Sequence, residues 1–505
     1  MKKTFVFALT FLFCAVSFIF SQTNDKIKNS QADPFKLENG SFFSASKKPR
    51  PKQESGVSYE PVEIQRDRVV VDFIDALDII RENYVDSKRV NYNQLTKSSL
   101  TSMLRTLDPH SNYYDSAEYE ELLDDQHSEY IGIGCSIANY LSNGVTDTYI
   151  TSTYPESPAM KAGLRFGDKV IAVNSENVSN KPTYEVREKI RGPKGTSVRV
   201  TVERAFTKRI ETIEIKRGVV PQPSIPDAYL LRPSVGYIDL SNGFNYTTYD
   251  ELNIAINDLK EQGMTSLVLD LRDNPGGIVE QAVKVAEKFL QPGQIVVTQK
   301  GRFEIDNRTW KAANRNPEQI PLVVLVDSGS ASASEIVAGA LQDHDRALII
   351  GEKTFGKGLV QSVIDLPNKA GLTLTTAKYY TPSGRSIQRE YAGIGIYDYF
   401  NHKLQVNQTK ESKTTTGRTV FGGDGITPDE LVKNSNLSST EISLLDPLFF
   451  FAREIATGRI PEFETYKTVL PIKYGKRIRP SDFPDSEPLF NSFKNYLLKS
   501  KTLKL

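Results

Sequence analysis

The hydrophobic pattern of this chain changes period several times, and each change marks an element. Leu322-Val323-Val324-Leu325-Val326 is a short, β-branched apolar run, which predicts a buried strand. Asp327-Ser328-Gly329-Ser330 breaks it. From Ser332 to about His344 the pattern turns helical, with Ile336, Val337, Ala340 and Leu341 on one face. Ala347-Leu348-Ile349-Ile350 predicts a second buried strand. Upstream, Ser266 to Leu271 predicts a strand, and Arg272-Asp273-Asn274-Pro275-Gly276-Gly277 ends it. Ile278, Val279, Ala282, Val283 and Ala286 then open a helix. Repeated strand–turn–helix units of this kind predict an α/β core over residues 219–437.

The flanks have other patterns. Residues 68–128 are predicted to be helical, with Val70, Phe73, Leu77, Ile80 and Tyr84 on one face and Leu100, Met103, Leu104 and Leu107 on another, both explained by core packing. Residues 129–218 alternate short strands with glycine turns, from Tyr130-Ile131-Gly132-Ile133-Gly134 through Ser197-Val198-Arg199-Val200-Thr201-Val202. After Gln388 about thirty-five polar and aromatic residues intervene before Gly425, a surface loop with room to gate a cleft or bind a partner. Residues 438–505 form a helical tail around Leu444-Leu445-Asp446-Pro447-Leu448-Phe449-Phe450.

At the amino terminus, Lys2 and Lys3 precede an apolar run from Phe5 to Phe20, followed by Ser21-Gln22. That order reads as a signal peptide over residues 1–21 and predicts export to the periplasm or cell envelope. An uncleaved membrane anchor is the alternative. Residues 22–67, with Lys47-Lys48-Pro49-Arg50-Pro51-Lys52, read as a flexible linker. Cys14 lies within the apolar run, so cleavage would leave Cys135 alone and exclude an intrachain disulfide. No cluster of His and Cys calls for a metal or cofactor. Lys and Arg total 63 against 62 Asp and Glu, a balance that argues against a nucleic-acid partner.

The chemistry concentrates in two strings. Ser330-Ala331-Ser332-Ala333-Ser334-Glu335 opens the predicted helix, and Thr354-Phe355-Gly356-Lys357-Gly358 follows the next strand. A helix of about twelve residues runs roughly 18 Å from Ser332, and the five-residue strand returns roughly 17 Å. Lys357 therefore finishes near Ser332. A serine needs a base to become a nucleophile, and a lysine with a lowered pKa supplies one. Helix N-terminal amides there suit a developing oxyanion, and the two glycines of the Gly276-Gly277 turn let backbone amides approach a ligand closely. A serine N-cap with a solvated lysine is the better explanation of an isolated pair, and the extended string with its neighbours reverses that preference.

Other chemistries fit less well. Of the four histidines, His344 sits at the far end of the helix and His402 in a polar loop. His110, in Leu107-Asp108-Pro109-His110-Ser111, suits a cap or core role better than that of a base. Gly351 to Lys357 has the spacing of a phosphate-binding loop, but Gly358 stands where a magnesium-holding hydroxyl belongs.

Together these strings resemble the carboxyl-terminal processing peptidases, or tail-specific proteases. The matching pieces are Asp270-Leu271-Arg272-x-Asn274-Pro275-Gly276-Gly277, the Ser330–Glu335 turn, and Gly351-Glu352-x-Thr354-Phe355-Gly356-Lys357-Gly358-x-Val360-Gln361. Lys378 to Gln388 and Gly425-Ile426-x-Pro428-Asp429 extend the match in family order. The resemblance implies a ClpP/crotonase-like βα protease core with an N-terminal helical region, an inserted PDZ domain over residues 129–218 and a helical C-terminal tail. It further implies Ser332 as nucleophile, Lys357 as general base and Gln361 as a supporting third member. Ala333 and one of Gly276 or Gly277 would supply oxyanion-hole amides. Gly132-Ile133-Gly134 would hold the free C-terminal carboxylate of a protein or peptide substrate. Measured along an extended strand, Gln361 lies roughly 13 Å from Lys357, so its role rests on the resemblance. A catalytically dead PDZ adaptor and an esterase are the competing classes; retention of both Ser332 and Lys357 argues against the first.

Overall fold

The computed structural model describes residues 66–126, 129–142, 144–391, 394, 396–400, 410–433, 437–469 and 482–500. The expected signal peptide, Cys14, nearly all of the linker, His127 and His402 lie outside the described residues. No described helix is long and apolar enough to cross a membrane.

The described residues up to Leu100 belong to one unit and those from Thr101 onward to a second. The first contains the helix Arg66–Asn83 and the opening turns of the helix Tyr92–Arg105. Here the expectation of core packing fails. Val70, Phe73, Ile80 and Tyr84 are all exposed, as are Met103 and Leu107 of the second set; only Leu104 is buried. Apolar periodicity identified the helix, but that periodicity cannot say whether the stripe finds a partner within the same chain.

The second unit is built on a six-stranded sheet. Its order is Ala228–Arg232, Val235–Asp239, Ser266–Asp270, Leu322–Val326, Leu348–Gly351, Glu430–Leu431. The first pair is antiparallel and the rest are parallel. Parallel neighbours need crossovers, supplied by the helices Thr248–Glu261, Val279–Glu287 and Ala333–Asp343. Central strands buried on both faces explain the unbroken Val/Leu/Ile runs: Leu269, Val324, Val326 and Ile349 are fully enclosed. The helix Ala333–Asp343 is buried on every side rather than on one face. Its small residues permit this; a Cβ at Gly339 would stand 3.0 Å from Thr381 Cγ2.

An antiparallel sheet lies beside this core. Gly371–Tyr380 is its central strand and pairs with Asn112–Tyr114, Ile295–Gly301 and Leu359–Asp365. The region 101–126 is thus not purely helical, because Asn112–Tyr114 adds a strand to this antiparallel sheet. The stretch after Gln388 is likewise more than a surface loop. It contains the helix Ile396–Phe400 and the hairpin Lys410–Lys413/Thr419–Gly422, and Tyr399 is buried.

The module expected to be a PDZ domain is a separate sheet ordered Cys135–Ser142, Val145–Thr153, Lys169–Val173, Ser197–Glu203, Ile210–Lys216. Ile133, Ile150, Val170, Val198, Val200 and Ile215 form its core. The tail helix Ser439–Ala456 packs onto it. Phe449 stacks on Tyr140 at 3.6 Å between ring centroids, Arg453 Nε donates to Gly167 O at 2.7 Å, and Asp446 Oδ2 accepts the Leu141 amide at 3.3 Å.

Candidate active site

Three loops leave the carboxyl ends of adjacent parallel strands: 271–277, 327–332 and 352–358. Register pairs Asp270 with Leu325 and Leu325 with Ile350, so all three emerge on one edge of the sheet. In open α/β sheets that edge is where ligands bind. The loops are laced together. Asp327 Oδ1 accepts the Asp273 amide at 2.9 Å, Asn274 O accepts the Ala331 amide at 2.9 Å, and Ser330 O accepts the Phe355 amide at 3.0 Å.

Ser332 is the N-cap of its helix and holds φ 55°, ψ −110°, a conformation costly for a side chain of this type. Glu335 holds it there. The Ser332 amide donates to Glu335 Oε2 at 2.9 Å, and the Lys357 amide donates to the same oxygen at 2.8 Å. Glu335 Oε1 accepts the Gly356 amide at 2.8 Å and Thr354 Oγ1 at 2.6 Å. Burial pushes the Glu335 carboxyl pKa up, and these four donors oppose the push. Ser332 and Lys357, twenty-five positions apart, are thereby tied through one carboxylate oxygen. Their side chains are not in hydrogen-bond contact with each other among the described residues.

Lys357 is half-buried. Burial lowers its pKa from the ordinary lysine value, while the charges of Glu335 and Asp108 resist the shift. His110 lies close by. Its imidazole is 6.2 Å from the Phe355 ring, and one ring nitrogen is 2.9 Å from Tyr399 Oη. Burial first, and then the Lys357 charge, lower the His110 pKa to about 4. An imidazole held that low is a poor proton acceptor near neutrality.

Gln361 stands opposite Thr375 across a β-bulge between Val360 and Gln361, and its Nε2 donates to Thr375 Oγ1 at 3.1 Å. Gly276 is pressed against the serine turn: a Cβ there would stand 2.7 Å from Ser332 Cβ and 2.9 Å from the Ala333 nitrogen. The Gly276 amide already donates to Asn274 Oδ1 at 2.9 Å, whereas the Gly277 and Ala333 amides donate to nothing among the described residues.

A peptidase family S41 model matches residues 234–398, and a PDZ domain model matches residues 149–204. The carboxy-terminal-processing protease of Bartonella bacilliformis is 37% identical over 329 residues, covering 64% of this chain and 73% of that protein. The chain belongs to peptidase family S41. The carboxyl-terminal-processing protease of Synechocystis sp. is 34% identical over 389 residues, 76% of this chain and 81% of that protein. Among solved structures, the photosystem II D1 C-terminal processing protease shares 27% identity, with a TM-score of 0.38 over 73% of this chain and 94% of that one. As a member of S41, this chain is a serine-type peptidase carrying a PDZ domain.

In this S41 peptidase the expected peptide-holding loop Gly132-Ile133-Gly134 is pinned from behind. Ile133 O accepts the Ala159 amide at 2.6 Å, and Gly134 O accepts Ser157 Oγ at 2.9 Å. Gly134 has φ +78°, and a Cβ there would fall 2.3 Å from Ser157 Cβ. Carbonyls held inward leave the Ile133 and Gly134 amides without acceptors among the described residues. The next strand, Cys135–Ser142, is the edge of its sheet.

Proposed function

We propose that this S41 peptidase is an exported C-terminal processing endopeptidase that works through a Ser332–Lys357 dyad supported by Gln361. Neutral Lys357 Nζ takes the proton from Ser332 Oγ as that oxygen attacks the scissile carbonyl. The Ala333 amide, with that of Gly277 or Gly276, takes the charge developing on the carbonyl oxygen. Gly277 is the better donor of the two, since the Gly276 amide is engaged by Asn274. Collapse of the tetrahedral adduct expels the amine, which leaves with the proton from Lys357. Water, deprotonated by the same lysine amine, then hydrolyses the acyl-serine.

The observation that carries this reading is the Glu335 carboxylate, which holds the Ser332 and Lys357 backbones at one oxygen. The lowered pKa of Lys357 adds to it, because only a desolvated lysine has a useful neutral fraction near pH 7. The PDZ module would add a substrate tail as a strand on the edge Cys135–Ser142 and take its terminal carboxylate on the Ile133 and Gly134 amides.

Two comparisons test the proposal. Ser332→Ala should keep the wild-type melting temperature and lose peptidase activity by a factor on the order of 10⁴ or more. Near-normal turnover by this variant rules out the nucleophile. Matched peptides ending in carboxylate or amide should differ in kcat/KM below saturation, by roughly tenfold or more for a charge-assisted contact. Equal cleavage rules out carboxylate reading. Recovery of the protein, with residues 1–21 removed, from the envelope fraction tests export.

A further inference from the structure

Nothing in the proposed reaction employs the turn Asp108–Ser111, yet it is buried beside the reacting groups. Asp108 is 5% exposed, and its Oδ1 accepts the amides of His110 at 2.7 Å and Ser111 at 2.8 Å. Its Oδ2 accepts Ser111 Oγ at 2.6 Å. The serine has one hydroxyl proton, and the short contact to the carboxylate holds it. Ser111 Oγ is therefore an acceptor on its other side, where it takes the Thr375 amide at 3.0 Å and, with its own proton on Asp108, accepts the Thr375 hydroxyl proton across 3.4 Å, which leaves Thr375 Oγ1 itself an acceptor. Thr375 Oγ1 in turn takes Gln361 Nε2 at 3.1 Å. The pairing of Asn112 with Thr373 brings the turn here, from more than 260 positions away along the chain.

A glutamine amide has a donor end and an acceptor end, and a half-turn exchanges them. Occupying Nε2 with Thr375 leaves Oε1 as the free pole. An acceptor is what a lysine needs once it has become an ammonium. We infer that Asp108, Ser111 and Thr375 form a positioning relay that fixes which end of the Gln361 amide serves the reacting lysine. The relay rests on the Ser332–Lys357–Gln361 reading and adds three residues to it.

A double-mutant cycle tests it. Thr375→Val keeps the side-chain volume and the backbone bond to Ser111 but removes the hydroxyl. It should lower kcat about tenfold, the worth of one hydrogen bond, and leave KM unchanged. Gln361→Ala should lower kcat at least as much by itself, and by less than about twofold when added to Thr375→Val. Thr375→Ser restores the hydroxyl and should restore kcat. Ser111→Ala provides a second entry with the same non-additivity, and thermal melts confirm that each variant is folded. Multiplying effects, or a wild-type kcat in Thr375→Val, overturns the relay alone. A wild-type kcat in Gln361→Ala overturns the relay together with the role of Gln361.

Discussion

Replacing Glu335 with glutamine separates a structural strut from an ordinary helix cap. As a cap, the side chain of the third helical residue returns to the Ser332 amide, and its loss costs about 1 kcal/mol. The observed carboxylate does more, accepting three backbone amides and one hydroxyl while fully buried. The side-chain amide of the Glu335→Gln variant has a single oxygen. If that oxygen takes the Oε2 position, the new NH2 faces the Gly356 N–H and orphans it. If it takes the Oε1 position, the Ser332 and Lys357 amides are both orphaned. Each buried orphan costs about 1–3 kcal/mol, and the surviving bonds fall from charge-assisted to neutral strength, about 1 kcal/mol apiece. Glu335→Gln should therefore lose about 3 kcal/mol or more in urea unfolding, roughly threefold the cost of a cap. The catalytic cost should be larger still, because the strut sets the separation of the serine and lysine backbones. A displacement near 1 Å is enough for a loss in kcat on the order of 10²-fold. A variant that loses less than about 1 kcal/mol and keeps its kcat would refute this account of the site.

Further outcomes follow from the same geometry. Lys357→Arg should be inactive at every pH, because guanidinium does not give up its proton; a wild-type rate by peptide assay would remove the lysine as base. In the wild type, kcat should rise with pH through the Lys357 pKa, and burial places that rise below the titration of a free lysine. His110 titrates at about 4 in the fold against 6.5 when free, so the unfolded chain binds the extra proton. Stability should be fully present above about pH 6.5 and decline as pH falls toward about 4, by about 3 kcal/mol. Melts of His110→Gln against wild type over that window should show the difference narrowing in acid. Gly276→Ala combines φ +98° with a Cβ 2.7 Å from Ala331 O, so it should abolish turnover while circular dichroism stays close to wild type.

The part of the site carried by local pattern was legible. Ser332, Lys357 and the Gly276-Gly277 turn follow strands whose apolar runs are unmistakable, and the parallel order puts their loops on one edge. Glu335 was visible as a letter but not as a strut, since three of its donors lie nineteen or more residues later in Thr354, Gly356 and Lys357. Gln361 could be placed on its strand by pattern, but not its side-chain partner: it bonds Thr375 Oγ1 across a register shift whose extra residue, Thr376, lies on the neighbouring strand. Asp108, His110 and Ser111 were hidden for a different reason. They enter by a three-residue strand pairing near Gly371–Thr373, and no periodicity announces a contact at such a separation. Tyr399 belongs to the same class, a buried residue from a stretch whose polarity suggested surface.

The stacking of Phe449 on Tyr140 bears on how this protein can be taken apart. A PDZ domain is usually treated as a cassette, removable at its own borders. Here the cassette has a buttress encoded some three hundred positions downstream: Phe449 and Asp446 bind the strand Cys135–Ser142, and Arg453 binds the turn at Gly167. Cutting at residues 129 and 218 would strip the helix Ser439–Ala456 of its partner and bare a row of phenylalanines. Trimming the tail instead would bare Tyr140 and Tyr149 on the module. The unit that can be moved, expressed or swapped is the pair, and any hinge motion of the one must carry the other.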